Sequence, residues 1–485
     1  MNLSQLLRGI TVRRRIGDSD VAINSVQFDS RRVSAGDLFV CFAGQKADGH
    51  EYAAIAVNKG SAAVLCEREL DLPAHVVQVV VDDARAAMAL ASGNFFGNPA
   101  ANMCMLAVTG TNGKTTVTHL LKSIGEAFGK RVGLIGTNYT VIDQMVLEAN
   151  ATTPDPFELN GLLRRMADAG IQWVVMETSA HALWLRKLEG ITFDVGVFTN
   201  FSKDHLNDFV TMEAYFAAKT HLFDSGRVRR AVLGGNDSKL AALAKAVPMP
   251  AVTFGTAPEA DVRATEVRLL PRHVEMRLEA QGRGVDVSLA IPGMFSVENA
   301  AAAAAAALAL DVPWPVIRCG LMQVKGVPGR MEIVPAPRGT FLVDYAHTPD
   351  ALKKVLVTLR QATKGRLCVV FGCGGGRDLE KRPEMGEIAA ELADFVVVTS
   401  DNPRNEKPEA IIDAIVKGVA KDTPLQVIPD RAQALAFAAE WAEEEDTVLV
   451  AGKGHETYQE IQGVKLAFCD RDVLTGIFEQ TAQQT

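Results

Sequence analysis

The stretch Thr109-Gly110-Thr111-Asn112-Gly113-Lys114-Thr115-Thr116 constrains this chain more than any other. It follows an apolar run, residues 105–108. It precedes a stretch with Val117, Leu120, Leu121, Ile124 and Phe128 at helical spacing. A buried strand that enters a glycine loop and leaves as an amphipathic helix is half of a βαβ unit. A mostly parallel sheet with helices on both faces is therefore expected. Backbone N–H groups of such a loop, with the helix N-terminus behind them, suit phosphate oxygens. Lys114 can reach the β- and γ-phosphates, and the Thr115 hydroxyl can hold Mg2+. The general phosphate-loop pattern has a glycine where Val108 stands.

Three more side chains sit where such a loop would use them. Glu177 ends the apolar run 173–176 and is followed by Thr178, Ser179 and His181. An acid at a strand end beside a phosphate loop is a natural Mg2+ partner, because hard cations prefer oxygen. His205 lies in FTNFSKDHLNDF, just after the apolar run 195–198. A lone histidine more often satisfies a structural role, but ligands collect at the carboxyl ends of strands. Lys219 has Tyr215 and Phe216 before it and Leu222 and Phe223 after it, all at helical spacing. That puts an amine on an apolar helix face, either snorkelling outward or buried with a depressed pKa.

The 485 residues allow about two to four domains. Residues 1–100 read as a small α/β unit, with strands near 38–42, 62–66 and 76–81 and helices near 53–59 and 84–96. Its string FDSRRVSAGDLFVCFAGQKADGHEY looks like a ligand-loop region. The central segment adds strands near 132–135, 173–176, 195–198 and 231–233, and the eight alanines 300–307 read as a tightly packed helix. After a hinge-like VPGRMEIVP at 327–335, strands are expected near 341–344, 367–371, 395–399, 425–428 and 448–450. Helices at 349–361 and 408–419 alternate with them, so a doubly wound domain should present its ligands at the carboxyl strand ends. Arg377 after Gly372-Cys373-Gly374-Gly375-Gly376, then Asp401-Asn402-Pro403-Arg404, then Gly452-Lys453-Gly454-His455-Glu456 each follow such a strand. Converging on one ligand, the arginines would suit carboxylates and Glu456 an ammonium. Asn299 opening the alanine run, Arg330 on the junction, and Asp344 and His347 after another strand read equally as cap, turn or salt bridge.

Composition excludes other classes. Lys plus Arg is 50 against 58 Asp plus Glu, a net charge of -8, which argues against a nucleic-acid binder. With 48% apolar and 22% charged residues the chain is core-forming rather than disordered. Seven scattered cysteines without a CxxC pair read as reduced thiols of a cytosolic protein. The N-terminal apolar run is too short for a signal peptide, and no window approaches about 20 apolar residues of membrane character.

GTNGKTT, ETSAHAL, FTNFSKDHL, the Lys219 helix, FSVENAAAA, VPGRMEIV, DYAHTPDAL, GCGGGRD, DNPRNE and AGKGHE resemble the Mur ligase family in order and spacing, nearly end to end. The resemblance implies a bacterial, cytoplasmic, three-domain α/β enzyme. It would have an N-terminal UDP-MurNAc-binding domain (1–100), a central P-loop ATPase domain with a parallel sheet (101–331) and a C-terminal Rossmann-like amino-acid-binding domain (332–485). It implies an ATP-dependent amide ligase of peptidoglycan precursor synthesis. That enzyme would join meso-diaminopimelate to UDP-N-acetylmuramoyl-L-alanyl-D-glutamate (UDP-MurNAc-L-Ala-D-Glu) through an acyl phosphate, using Mg2+. No nucleic-acid partner, no membrane insertion and a monomer are expected.

Site roles carry over residue by residue. Phe28, Ser30, Gln45, Lys46 and Ala47 would contact the uridine nucleotide. Thr152, Thr153, Ser179 and Lys187 would hold the muramoyl-peptide side. Gly110, Thr111, Asn112, Gly113, Lys114, Thr115 and Thr116 would bind ATP phosphates, with Asn299, Arg330, Asp344 and His347 on the nucleotide side. Thr115, Glu177 and His205 would serve Mg2+, and Lys114, Lys219, His205 and Glu177 would be catalytic. Lys219 matches a lysine that the family carries as a carbamate derived from CO2, which would turn a costly buried cation into an anion beside Mg2+. Arg377, Asp401, Asn402, Pro403, Arg404, Gly452 and Glu456 would form the diaminopimelate pocket.

DNPR resembles the diaminopimelate-type motif, and lysine-adding members usually lack this arginine. The physics agrees: diaminopimelate carries a distal carboxylate that lysine lacks, and a buried Arg404 facing lysine would be left unpaired, at a cost of several kcal/mol. The chain departs from the family pattern at Ala180, Leu185, Lys187 and Gly376. The rival readings are a lysine-adding ligase, a folate-polyglutamate ligase, which would not need the N-terminal uridine-type unit, and a nucleotide-gated protein that does not ligate. Lys114, Glu177, His205 and Lys219 speak against the last.

Overall fold

The computed structural model describes residues 1–44, 47–203, 206–376 and 378–484; four expected site residues, Gln45, Lys46, His205 and Arg377, lie outside the described residues. Three main sheets organise the chain. The first runs Val12–Ile16, Val77–Val81, Ala63–Cys66, Leu38–Val40, Val26–Gln27, parallel except for its first pair. Strand side chains alternate between faces. Leu38, Val40, Leu65 and Val79 therefore meet Ala87, Met88 and Ala91 of the helix Ala84–Phe95. Phe39, Val64 and Val80 meet Ala53 and Ala56 of the helix Ala53–Asn58 on the other side.

The central sheet has eleven strands, in the order Arg283–Leu289, Val274–Ala280, Val262–Leu269, Ala251–Gly255, Val228–Gly234, Phe193–Phe198, Cys104–Thr109, Trp173–Glu177, Val132–Ile135, Tyr139–Ile142, Met145–Glu148. From Val262–Leu269 to Val132–Ile135 all neighbours are parallel. Antiparallel pairs extend both ends. Leu106 and Val108 face the helix Lys114–Ala127 and the alanine helix Met294–Leu308, while Met105, Ala107, Val174 and Met176 face Leu159, Leu163 and Met166 of the helix Pro156–Asp168. Ala300 to Ala307 are at most 1% exposed, so this helix is apolar all round because it is buried all round. It starts at Met294, behind Gly293, six residues earlier than the alanine run suggests. Asn299 is thus inside a helix, and the capping reading of it does not hold.

The third sheet runs Glu332–Val334, Thr340–Asp344, Thr447–Ala451, Leu367–Phe371, Phe395–Val398, Leu425–Val427, parallel except for its first pair. Helices Pro349–Ala362, Lys381–Leu392 and Pro408–Val416 cover one face, and Arg431–Trp441 with Asp470–Gln484 cover the other. This is the doubly wound, Rossmann-like arrangement expected. Among the described residues no helix is long and apolar enough to cross a membrane.

Candidate active site

Register places the central chemistry. Glu177 lies opposite Val108, and Phe198 opposite Thr109. The phosphate loop that follows Thr109 is thereby flanked by an acid on one side and by residues 199–202 on the other. Thr199 Oγ1 donates to Asn112 O (2.6 Å), Asn112 N donates to Asn200 Oδ1 (3.0 Å), and Thr111 Oγ1 donates to Ser202 O (3.2 Å). These bonds fix the loop against residues 199–202. Gly110 and Gly113 have φ of 145° and 85°, and a Cβ on either would overlap Thr199 Oγ1 or Asn299 Oδ1. Only glycine fits both places.

Lys114 folds back over the loop, donating to Gly110 O (2.9 Å) and Thr111 O (3.0 Å). Thr115 Oγ1 donates to Glu177 Oε2 (3.1 Å), and Thr116 is buried behind it. Glu177, only 1% exposed, also accepts from Thr137 N (2.9 Å) and Thr137 Oγ1 (2.9 Å). Lys219 is equally buried; its Nζ donates to Gly110 O (2.8 Å) and lies 4.6 Å from the centre of the Tyr215 ring. Its position on an apolar helix face is therefore a buried one, and the snorkelling reading does not hold.

The junction brings the third domain to this loop. Arg330 Nη2 donates to Thr115 Oγ1 (3.2 Å), and its guanidinium lies 4.7 Å from the Tyr345 ring centre. Asn138 Nδ2 donates to Pro328 O (3.0 Å), and Ser202 Oγ donates to Asp350 Oδ2 (3.1 Å). Asp344 accepts from Met331 N and Ala346 N (2.8 Å each), so it braces the junction turn; burial, opposed by Arg330, raises its pKa. His347 is exposed, with its ring 4.6 Å from that of Tyr345. His455 also packs against Tyr345, with ring centres 5.0 Å apart, and burial with Arg330 nearby pushes its imidazole down to about 3, so it is neutral at physiological pH.

At the carboxyl edge of the third sheet the expected loops do meet. Gly375 N donates to Asn402 O (2.9 Å), and Gly376 N donates to Glu406 Oε1 (2.6 Å), whose carboxylate also takes a fork from Arg382 (3.0 Å twice). Arg404 Nη1 donates to Gly375 O (2.8 Å), and its Nε lies 3.3 Å from Glu460 Oε2. The Pro403 carbonyl packs against Gly375, and Asp401 Oδ2 abuts Gly452. Asn402 Nδ2 donates to Glu456 Oε2 (2.7 Å), and the buried Lys453 donates to that oxygen (2.8 Å) and to Asn402 Oδ1 (3.1 Å). Glu456 is thus already partnered by a cation, and a ligand ammonium would share it.

Of the residues expected on the peptide side, Thr152, Thr153 and Ser179 are linked by hydrogen bonds, directly or through one another, to Glu177 or to its partner Thr137. Thr137 Oγ1, whose proton goes to Glu177, accepts from Thr152 Oγ1 (3.1 Å), and Thr153 Oγ1 donates to Glu177 O (2.9 Å) and accepts from Ser179 N (3.0 Å). Lys187 pairs with Asp155 at 2.7 Å. Phe28, Ser30 and Ala47 lie on loops of the first unit: Phe28 stacks on Phe42 (centroids 5.9 Å), Lys59 holds the Ser30 carbonyl (3.0 Å), and Ala47 O accepts from Gly44 N (2.9 Å).

Comparison with known proteins agrees with this geometry. Residues 22–95 match the model "Mur ligase family, catalytic domain", 108–307 the "Mur ligase middle domain", and 329–454 the "Mur ligase, glutamate ligase domain". A protein of Bacillus licheniformis named UDP-N-acetylmuramoyl-L-alanyl-D-glutamate--2,6-diaminopimelate ligase is 41% identical over 482 residues, 98% of each chain. The chain belongs to the Mur ligase family. A protein of the same name from Halalkalibacterium halodurans is 42% identical over 478 residues, again 98% of each chain. A solved structure bearing that name superposes with a TM-score of 0.72 at 31% identity, covering 100% of this chain and 99% of the other.

Mur ligases use ATP and Mg2+, and the donor set here fits the cation. Thr115 and Glu177 offer oxygen ligands, and among the described residues no cluster of three His, Cys, Asp or Glu competes for a metal. Several residues that contact or brace the site were missed in the sequence. Thr137, Thr199 and Asn200 are plain strand-end polar residues whose partners are long-range. Lys453 stands inside the AGKGHE string, where a buried lysine beside Glu456 was the available signal. Replacing Gly113 with alanine should raise the KM for ATP at least about tenfold and lower Tm, since the left-handed backbone and the overlap with Asn299 together cost about 1–3 kcal/mol. Steady-state kinetics and a thermal melt check this.

Proposed function

We propose that this chain is the cytoplasmic ATP-dependent amide ligase that joins meso-diaminopimelate to UDP-MurNAc-L-Ala-D-Glu in peptidoglycan precursor synthesis. One observation carries the proposal. Arg330 links the Thr115 hydroxyl of the phosphate loop to the sheet edge that carries Asn402, Arg404 and Glu456, so a phosphate site and a charged amino-acid pocket share one junction. Relatives 41% and 42% identical carry the matching name. ATP and a UDP-linked acceptor are cytoplasmic substrates, which fits the location. We take domain limits of 1–100, 101–331 and 332–485, with the hinge at Arg330.

In this reading Gly110 to Thr116 hold the ATP phosphates, and Lys114 leaves its loop carbonyls for the γ-phosphate. Mg2+, held by Thr115 and Glu177, supplies charge neutralisation when bound. The γ-phosphoryl group passes to the D-glutamate γ-carboxylate, giving an acyl phosphate and ADP. The amine of diaminopimelate attacks that carbonyl; the C–N bond forms, the C–O bond to phosphate breaks, and the amine proton is lost to solvent. Thr152, Thr153, Ser179 and Lys187 position the peptide carboxylate, Phe28, Ser30 and the 45–47 loop the uridine, and Asn299, Asp344 and His347 the nucleotide side. Arg377, Asp401 to Arg404, Gly452 and Glu456 orient the amino acid, while His205 and Lys219 complete the metal side. Lys219 as a carbamate would replace a buried ammonium beside Gly110 by an anion, whose burial Mg2+ at Thr115 and Glu177 would offset. A carbamate carbon in the 13C spectrum of protein equilibrated with 13C-bicarbonate, absent from Lys219→Arg, is the expected result; its absence from both would refute the modification. The ligase reading itself requires one ADP released per tripeptide, with all three substrates present. ATP turnover indifferent to the peptide acceptor would favour the non-ligating reading.

A further inference from the structure

Behind the 401–404 and 452–456 loops lies a buried ion pair. Arg431 opens the helix Arg431–Trp441, Asp470 opens the helix Asp470–Gln484, and both side chains are fully buried. Arg431 Nε and Nη2 fork onto the two Asp470 oxygens at 2.7 and 2.8 Å. The remaining donors reach forward. Nη2 donates to Ala451 O (3.0 Å) and Nη1 to Ser400 O (3.3 Å). Ala451 ends the strand Thr447–Ala451 and Ser400 follows the strand Phe395–Val398, with Leu367–Phe371 between them in the sheet; the next residues along the chain are Gly452 with Lys453, and Asp401 with Asn402. Burial by itself would lower the pKa of this guanidinium, but the Asp470, Asp401 and Glu456 carboxylates hold it above the ordinary arginine value. Buried ion pairs are weak contributors to stability, and apolar replacements of similar volume are often tolerated. A planar fork with five donors can hold a carboxylate and two separate carbonyls at once, and a lysine cannot.

We propose that the Arg431–Asp470 pair is a positioning device for the diaminopimelate pocket, fixing the spacing between the 401–404 loop and the 452–456 loop. This rests on the assignment of those loops to the amino acid. The guanidinium sets where Asn402 and Glu456 stand without meeting substrate, so its loss should be felt by one substrate and not by the others.

Two variants test it in the full-length enzyme. Arg431→Lys keeps the charge and loses the fork. The double variant Arg431→Met/Asp470→Leu removes the pair without stranding a buried charge. In both, the KM for meso-diaminopimelate should rise at least about tenfold, while the KM for ATP and for UDP-MurNAc-L-Ala-D-Glu changes less than about twofold and the thermal melt stays cooperative. An unchanged KM for diaminopimelate, an equal rise in all three constants, or loss of folding in both variants would overturn the proposal and leave the pair a part of the fold alone. Wild-type enzyme that makes no diaminopimelate product would instead remove the functional reading beneath it, a result that does not depend on either variant.

Discussion

Lys114→Ala should lower kcat for tripeptide formation about a thousandfold, the upper end of what one preorganised charge-stabilising donor contributes. The Lys114 Nζ is held by Gly110 O and Thr111 O, on the loop whose glycines pack against Thr199 and Asn299. The amine is therefore poised to exchange two carbonyls for a phosphoryl group that gains negative charge at its outer oxygens as it transfers. Nothing else on the loop carries a positive side chain. Lys114 is part-buried and its lost partners are loop carbonyls, so the variant should still fold. Single-turnover kinetics with ATP saturating separate a slowed phosphoryl transfer from weakened binding. A variant with kcat within about threefold of wild type would remove Lys114 from the transition state.

Arg404→Ala should lower kcat/KM for meso-diaminopimelate by about two to three orders of magnitude, since truncating one partner of a desolvated charge pair costs about 2–5 kcal/mol. Arg404 stands at φ 51°, with its backbone bonded to the 460–462 hairpin on both sides and its Nη1 on Gly375 O. The guanidinium is thus held at the mouth of the glycine loop and keeps donors free for a second carboxylate. Glu460, 3.3 Å from Nε, already balances part of its charge. With lysine the distal carboxylate is missing, so the same substitution should change lysine use little and narrow the discrimination between the two amino acids. Comparing kcat/KM for both substrates in wild type and variant reads this directly. An equal loss for both would make Arg404 a structural residue.

The parts of this molecule that were legible in the sequence are those with local causes. Runs such as 105–108, 173–176 and 448–450 are buried on both faces, so they read as unbroken apolar strands. The strands toward the ends of the sheets were not legible. Val262–Leu269 carries alternating burial with charged residues between, and Val12–Ile16 has three arginines in five residues; each is a strand only because a neighbour pairs with it. The same division holds in the site. Glu177 at a strand end and Lys219 on an apolar face announce themselves. The Arg330–Thr115 bond spans 215 residues and the Arg431–Ala451 bond joins two elements through a buried fork, and no local pattern encodes either. Asn299 shows the middle case: the residue stands out, but its role facing Gly113 follows only from where the helix begins.

The central claim is that one junction activates a carboxylate with ATP and selects diaminopimelate for it. The most direct test incubates the protein with ATP, Mg2+, UDP-MurNAc-L-Ala-D-Glu and equimolar meso-diaminopimelate and L-lysine, and weighs the products by mass spectrometry. The account predicts the diaminopimelate tripeptide in at least about a hundredfold excess, with one ADP per product, because a site built around a substrate carboxylate strongly rejects the analogue lacking it. Comparable amounts of the lysine tripeptide, or ATP turnover without either product, would contradict it.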